Sequence, residues 1–148
     1  LPMVDTQPRR YFKVTTEPID VGFLTSIVAD DERDGAIVTF IGTVRRFARG
    51  RRVSYLEYEA YPEMAEKSLA QIADEIRSKW QIENVAIIRR VGRLQVGDIS
   101  IAIAVGAPHR KEAFQACSYA IDRIKEHTPV WKKEVWEDGE EWIGREGG

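Results

Sequence analysis

The sequence DGAIVTFIGTVR, residues 34–45, joins a turn signal, a strand pattern and a polar end. Asp34-Gly35 is a typical turn dipeptide, and the β-branched and aromatic run that follows it predicts a buried strand over Ala36–Val44. Arg45 comes where this strand ends. Because a guanidinium presents a planar set of donors that suits phosphate, the strand end is a candidate anion site. In isolation, a solvated loop arginine is the favoured alternative.

Outward from this strand, helix and strand patterns interleave along the chain. The arginine-rich segment 46–52, interrupted by Gly50, predicts a loop, and residues 53–59 alternate as a returning strand. The other predicted strands are 11–15, 85–91, 99–105, 130–136 and 141–143, and the predicted helices are 20–28, 62–80 and one that starts at Pro108 and stops at Pro129. Hairpin-like turns between several strands favour an α+β fold with a mixed or mainly antiparallel sheet. No glycine-rich phosphate loop follows a strand, so a dinucleotide or ATP site is not expected.

The net charge of −2 conceals a marked separation of charge. Arginines crowd into residues 45–52, further basic residues occur at 89–93, 109–111, 125 and 132–133, and acidic residues gather between Glu134 and Glu146. A nucleic-acid-binding domain is usually basic overall. A mildly acidic chain with local basic clusters therefore indicates a site for a small anion.

Length and composition predict one domain over residues 1–148. The longest apolar run, 99–107, is too short to cross a bilayer, and no secretory signal is visible, so we expect a cytoplasmic protein without membrane partners. Leu1-Pro2 is expected to be a tag remnant, and residues from about 144 to 148 a flexible tail. One cysteine excludes an internal disulfide, and two histidines are too few for a typical metal site, so no metal is expected.

Two further basic sites stand at the ends of the last helix. His109 and Arg110 begin it, where free backbone amides favour anions, although a local cap and a surface charge explain them equally well. Lys125 lies in its last turn, and Lys132 returns on the next strand after Pro129 reverses the chain. This geometry can bring two ammonium groups together, but lysines at helix ends and on edge strands are also common for structural reasons.

Several short motifs, in their order and spacing, resemble the catalytic (large) subunit of molybdopterin synthase over most of the chain. The motifs are DGAIVTF at 34–40, GTVR at 42–45, LEYEAYPEM at 56–64, RVGRL at 90–94, VGD at 96–98, APHR at 107–110 and PVWKKE at 129–134. Each motif alone is modestly specific, whereas their combined order is highly specific. By this resemblance the chain is identified as a member of that family.

The resemblance implies an α/β hammerhead-type fold with an additional small antiparallel β-sheet, and a homodimer within a heterotetramer. It implies a sulfurtransferase that takes sulfur from the thiocarboxylate on the Gly-Gly tail of a small ubiquitin-like subunit. The acceptor is cyclic pyranopterin monophosphate, and two transfers form the dithiolene of molybdopterin for molybdenum cofactor biosynthesis. No cofactor and no nucleic acid is implied. The cysteine count agrees, since the sulfur arrives on the partner.

The resemblance also implies roles for individual residues. It assigns catalysis to Lys125 and Lys132, of which Lys125 acts either as a proton-transfer group or as a nucleophile. The family's pterin-contacting arginine matches Arg45, and an anion-binding pair from the neighbouring protomer matches His109 and Arg110. The implied substrate-binding residues are Thr43, Val44, Arg45, His109, Arg110, Lys125, Lys132, Lys133 and Glu134.

Other interpretations of the sequence remain open. Cys117 is a candidate sulfur relay, but its place on the apolar stripe of a helix favours a buried structural cysteine. The arginines of residues 45–52, with Phe47 among them, are a candidate RNA-binding element. A scaffold that only docks the small subunit is a third possibility. Gly147-Gly148 resembles the tail of the sulfur carrier, although a frayed end of the large-subunit pattern is favoured.

Overall fold

The computed structural model describes residues 9–29 and 32–145, which form three helices and nine strands. The helices are α1 (Val21–Ala29), α2 (Pro62–Trp80) and α3 (Arg110–His127). The strands are β1 (Arg10–Thr15), β2 (Ala36–Thr43), β3 (Phe47–Ala48), β4 (Arg51–Glu59), β5 (Asn84–Arg90), β6 (Gly92–Gln95), β7 (Ile99–Ala107), β8 (Trp131–Trp136) and β9 (Gly139–Arg145). The expected tag remnant, Leu1-Pro2, and the terminal Gly147-Gly148 lie outside the described residues.

The strands form two sheets, which confirm the predicted α+β fold. The first sheet has the order β1-β5-β7-β2, with β1 parallel to β5 and the other neighbours antiparallel. The second has the order β3-β4-β8-β9, with β6 also paired to β4, and its pairings are antiparallel. A mixed sheet with helices and an additional antiparallel sheet is the arrangement expected of the hammerhead-type fold.

The first sheet is covered on both faces, which explains the nearly continuous apolar sequences of β5 and β7. Helices α2 and α3 cover one face, where Ile87 and Ile103 are fully buried. Helix α1 covers the other face through Leu24 and Val28. Truncating a side chain such as Ile103 to alanine is expected to cost about 2–5 kcal/mol, because the rigid surroundings do not refill the cavity.

Strand β2 is half-exposed rather than buried as predicted. It lies at the edge of the first sheet, and Ile37 and Ile41 are 41% and 43% exposed. Strand β4 belongs to the second sheet, so it does not return alongside β2. The prediction was wrong because β-branched residues suit any pleated surface, and composition does not separate an edge strand from a central one.

The side of strand β4 that faces the core changes at one point along the strand. Its pairing with β8 shifts between Val53 and Tyr55, which makes Ser54 an extra residue. Val53, Leu56 and Tyr58 are therefore all buried in the core of the second sheet. Simple alternation placed Val53 and Leu56 on opposite sides, and this was wrong because a β-bulge reverses the phase of a strand.

The segment predicted as a loop after Arg45 is a β-hairpin. Phe47 pairs with Arg52 and Ala48 with Arg51, so that β3 and the start of β4 are joined by two residues. Both of these, Arg49 and Gly50, have positive φ angles of 55° and 74°. Such a turn matches the twist of the flanking strands. The sequence did not reveal it because arginine rarely occupies the left-handed region.

The end of the described chain is more ordered than predicted. Strand β9 extends the expected last strand, and it pairs Gly144 with Lys132 and Arg145 with Trp131. Residues 144 and 145, predicted as the start of a flexible tail, therefore belong to β9, and the rest of that predicted tail lies outside the described residues. Strand β6 was not predicted, because it has only four residues and depends on pairing with β4.

Candidate functional site

A cleft of about 120 Å³ lies where the two sheets meet. Phe40, Leu56 and Ile121 contribute apolar surface to it. Its polar lining comes from separate stretches of the chain and consists of Thr43, Arg45, Arg89, Ser100, Lys125 and Lys132. Four of these six side chains are cationic, so the cleft offers a positive lining to a small anion.

The end of β2 is held in place by two backbone hydrogen bonds. The Val44 amide donates to the carbonyl of Asp98 at 3.0 Å, and the Val44 carbonyl accepts from the amide of Gly97 at 2.9 Å. The Val44 side chain is 4% exposed and packs in the core of the second sheet. Thr43 and Arg45, on either side of it, line the cleft. Val44 therefore anchors the strand end, and substrate binding at Val44 stays a prediction.

Lys125 and Lys132 reach the cleft from the end of α3 and from β8. The reversal between them is anchored by a buried hydrogen bond of 2.9 Å between the hydroxyl groups of Ser68 and Thr128. Val130, which follows, is 1% exposed. The chain therefore doubles back in a fixed geometry, and both lysines line one cavity.

Glu134 is a buried carboxylate beside Lys132. Its side chain is 2% exposed, and its Oε2 lies 3.6 Å from Nζ of Lys132 and 4.0 Å from Nε of Arg49. Among the described residues, none donates a hydrogen bond to its Oε1. Because a buried charge is costly unless it is paired, the cations stabilise this carboxylate, and the carboxylate in turn restrains Lys132.

Lys133, predicted to bind substrate, is not among the residues that line the cleft. Its ammonium lies 3.3 Å from Oε2 of Glu57 and 3.5 Å from Oε2 of Glu140. Burial favours the neutral amine, but the hydrogen bond to Glu57 and the charges of both carboxylates outweigh it and raise the pKa of Lys133. Successive residues of a strand face opposite sides, so Lys132 and Lys133 diverge. Substrate binding by Lys133 stays a prediction.

Arg89 lines the cleft, although sequence reasoning assigned it no role. It is 1% exposed, and its guanidinium carbon lies 4.4 Å from the centroid of the Tyr58 ring. The sequence did contain a signal: Val85, Ile87 and Arg89 alternate along one face of β5, and the first two are buried under the helices. An arginine at an inward position is rare unless its charge is compensated.

His109 and Arg110 are exposed at the start of α3. His109 occupies the N-cap position, but its side chain makes no capping hydrogen bond. A helix rises 1.5 Å per residue, so Arg110 lies roughly 22 Å along the axis from Lys125. The two residues do not line the cleft of their own chain. Their contribution to the site of a neighbouring protomer stays a prediction.

Cys117 is buried between α3 and the first sheet, with 4% of its surface exposed. Burial raises the pKa of its thiol to about 11, against the opposing effect of a backbone hydrogen bond from Phe40. The thiol is therefore protonated at neutral pH. This favours the structural interpretation of Cys117 over the sulfur relay.

The arginines at the base of the hairpin pair with acidic residues of the β8–β9 turn. Arg51 lies 3.6 Å from Asp138, and Arg52 lies 3.9 Å from Glu137. The Arg51 guanidinium also stacks on Trp136, 4.3 Å from the ring centroid. These contacts offset part of the positive charge on which the RNA-binding alternative depends.

Neither a metal centre nor a membrane span is apparent in the described part of the chain. Residues 9–29 and 32–145 contain no group of three or more His, Cys, Asp and Glu side chains that could hold a metal ion. No helix within the same ranges combines the length and the apolar character needed to cross a membrane.

The protein is of the α+β class, and the cleft between its two sheets presents arginine and lysine side chains, whose charge suits a small anion. The model of the family described as MoaE protein matches residues 14–127. The molybdopterin synthase catalytic subunit of Staphylococcus carnosus (strain TM300) is 50% identical over 139 residues, which cover 94% of this chain and 92% of that protein. The chain belongs to the MoaE family, and it is an enzyme subunit of molybdopterin biosynthesis.

Solved structures agree with this family. The crystal structure of molybdopterin synthase from Staphylococcus aureus has a TM-score of 0.86 at 50% identity, and the match covers 90% of this chain and 96% of that one. A complex of subunits 1 and 2 of molybdopterin-converting factor from Helicobacter pylori 26695 has a TM-score of 0.72 at 16% identity, covering 88% of each chain. The second comparison shows a shared fold.

Proposed function

We propose that the protein transfers sulfur from the C-terminal thiocarboxylate of a small ubiquitin-like subunit to cyclic pyranopterin monophosphate, forming the molybdopterin dithiolene. The observation that carries the proposal is the convergence of Arg45, Lys125 and Lys132 on one cleft. These residues come from a strand end, a helix end and a returning strand. They are also the positions at which the family resemblance implies substrate contact and catalysis.

The electrostatics of the cleft suit this reaction. A cyclic phosphate and a thiocarboxylate are both anions, and two unit charges 4 Å apart repel by about 1 kcal/mol even in bulk water and by more in a protein cleft. The cationic lining offsets that repulsion in an enclosed space, where fixed charges act more strongly than in solvent. Arg45 suits the phosphate or a pterin carbonyl because its donors are planar.

Lys125 and Lys132 are the proposed catalytic residues. Lys125 is exposed at the end of α3, where an ammonium or amine can reach a ligand in the cleft, as a proton-transfer group or as a nucleophile. Lys132 is more restrained, since it pairs with Glu134. This difference supports a mobile reacting group at Lys125 and a fixed positive charge at Lys132.

The sulfur donor is proposed to be a separate subunit. The chain's one cysteine, Cys117, is buried with a protonated thiol, which supports delivery of sulfur from outside. The Helicobacter pylori structure is a complex of two different subunits of molybdopterin-converting factor, which supports a small partner for this chain also. We further propose a cytoplasmic heterotetramer built on a homodimer, in which His109 and Arg110 serve the neighbouring protomer's cleft.

One reconstitution tests the proposal. The pure protein is mixed with the thiocarboxylated small subunit and cyclic pyranopterin monophosphate, and molybdopterin is measured by the fluorescence of its oxidised product. Lys125→Ala should reduce formation by about a hundredfold or more, the range of a lost proton-transfer group. Lys67→Ala is the matched control, because Lys67 also lies on a helix and does not line the cleft. Near-normal turnover by Lys125→Ala would refute the catalytic role of Lys125, whereas a wild-type protein that binds the small subunit but forms no molybdopterin would favour the scaffold alternative.

A further inference from the structure

Arg89 is a cation built into the interior at the floor of the cleft. It lies on β5 between β1 and β7, opposite Val14 on one side and Ile101 on the other. Both of these neighbours are buried, and Arg89 itself is 1% exposed. A guanidinium at such a position loses most of its hydration, which is unfavourable unless nearby groups compensate. The groups around the guanidinium of Arg89 therefore indicate its role.

Tyr58 fixes the orientation of this guanidinium. Its ring is 5% exposed and lies 4.4 Å from the guanidinium carbon of Arg89, and both residues line the cleft. A cation over an aromatic face is stabilised by the ring, most when the pair is desolvated. The contact joins β5 of the first sheet to β4 of the second. The plane of the guanidinium is therefore set by both sheets before any ligand binds.

The surroundings of Arg89 distinguish it from the other cations of the cleft. Arg45 and Lys125 are exposed at the ends of a strand and a helix, so their side chains can move. Arg89 is buried, and a guanidinium is a permanent cation in proteins. It combines a permanent charge with a fixed place at the inner end of the cavity.

We propose that Arg89 is a specificity-determining residue that binds the anionic, phosphate-bearing part of the substrate at the floor of the cleft, with Tyr58 as its positioning residue. The assignment rests on the proposed function for the identity of the substrate. It predicts that Arg89 contributes to binding far more than to the chemical step, which Lys125 and Lys132 perform. No family motif in the sequence singled out Arg89 for this role.

The chain contains a matched control. Arg93 stacks on Tyr55 with its guanidinium carbon 4.0 Å from the ring centroid. This contact resembles that of Arg89 with Tyr58, because both tyrosines belong to β4. Its side chain is 57% exposed and it does not line the cleft. Arg93→Gln therefore removes an equivalent contact where no substrate is expected.

The test measures KM and kcat for the pyranopterin, and the Ki of inorganic phosphate as a competitor, in the complete enzyme with its small subunit. Arg89→Gln should raise KM and the phosphate Ki by about tenfold or more, the expected loss for a hydrogen bond to a charged group. The kcat should change by less than about threefold in the same variant. Arg89→Met is a second variant, since an apolar chain of similar length often preserves packing where a buried ion is removed.

The outcomes separate the proposal from a merely structural role. Unchanged KM and Ki in a folded Arg89 variant, or equal changes in Arg93→Gln, would overturn it. If neither Arg89 variant folds, Tyr58→Leu is measured against Tyr58→Phe, since Leu removes the ring and Phe keeps it while both leave the charge of Arg89. A higher KM for Tyr58→Leu than for Tyr58→Phe supports the assignment. An equal KM in the two variants overturns it. If the wild type forms no dithiolene, the proposed function fails; direct calorimetric binding of phosphate, weakened about tenfold by Arg89→Gln, would still uphold the anion site.

Discussion

Lys132 and Glu134 form an ion pair at the wall of the cleft, with Nζ of the lysine 3.6 Å from Oε2 of a carboxylate that is 2% exposed. A second pair joins Lys133 of β8 to Glu57 of the neighbouring strand β4; it is 3.3 Å apart, and neither residue lines the cleft. Both are lysine–glutamate pairs, but Lys132 lines the cleft and Lys133 does not. They allow the effect of a charge in the cleft to be separated from the effect of an ion pair on folding.

Glu134→Gln should lower kcat/KM for sulfur transfer by about tenfold, because Lys132 loses the negative charge of the ion pair that restrains it. Glu57→Gln is the control and should change kcat/KM by less than about threefold, since a partly exposed pair contributes little. Steady-state kinetics and urea unfolding of both variants check this. Equal losses of activity in the two would contradict the role of Glu134.

Lys132→Ala should abolish most of the activity, with a loss of about a hundredfold, because the cleft loses a charge that meets the reacting anions. Lys133→Ala should retain turnover and lose some stability, since its ammonium serves Glu57 and Glu140. The same fluorescence assay of molybdopterin, together with Tm measurements, distinguishes them. A large loss of turnover in Lys133→Ala at normal Tm would mean that the cleft extends across β8.

Glu75 should make stability depend on acid pH. Hydrogen bonds from Arg123 (2.9 Å) and Tyr119 (2.5 Å) lower its pKa from the ordinary 4.5 to about 2. Because the folded-state pKa lies below the unfolded one, this stabilisation is complete above about pH 4.5 and is lost as the pH falls towards 2. Glu75→Gln should therefore unfold at lower urea than wild type at pH 7, with the difference vanishing near pH 2. A difference independent of pH would contradict the depressed pKa.

Cys117→Ala should retain sulfur transfer within about twofold, because a buried protonated thiol is a poor nucleophile. Its free energy of unfolding should fall by about 1 kcal/mol for the small cavity left in the core. In the wild type, a thiol reagent at about pH 7.5 should label Cys117 slowly until urea unfolds the protein. Loss of turnover in Cys117→Ala at normal stability would revive the sulfur relay.

The candidate site could be predicted in part. Arg45, Lys125 and Lys132, which line one cleft, were predicted because each stands at a recognisable strand or helix end and matches a family motif. Glu134 was found by the same motif, but its burial beside Lys132 was not. Lys133 belongs to the same motif but does not line the cleft, whereas Arg89 lines the cleft and belongs to no motif, because motifs identify neighbours in sequence without saying which side of a strand they face.

The identity of the elements and the family follow from the sequence, because apolar periodicity, turn residues and motif order are local properties of the chain. The helix that periodicity predicts over 62–80 is also the helix observed. Only the folded chain decides that β2 is an edge, that Ser54 reverses the phase of β4, and that Arg89 meets Tyr58 between two sheets. Those outcomes depend on strand pairings between segments that are distant in sequence, and a local sequence pattern does not determine the free energy of such contacts.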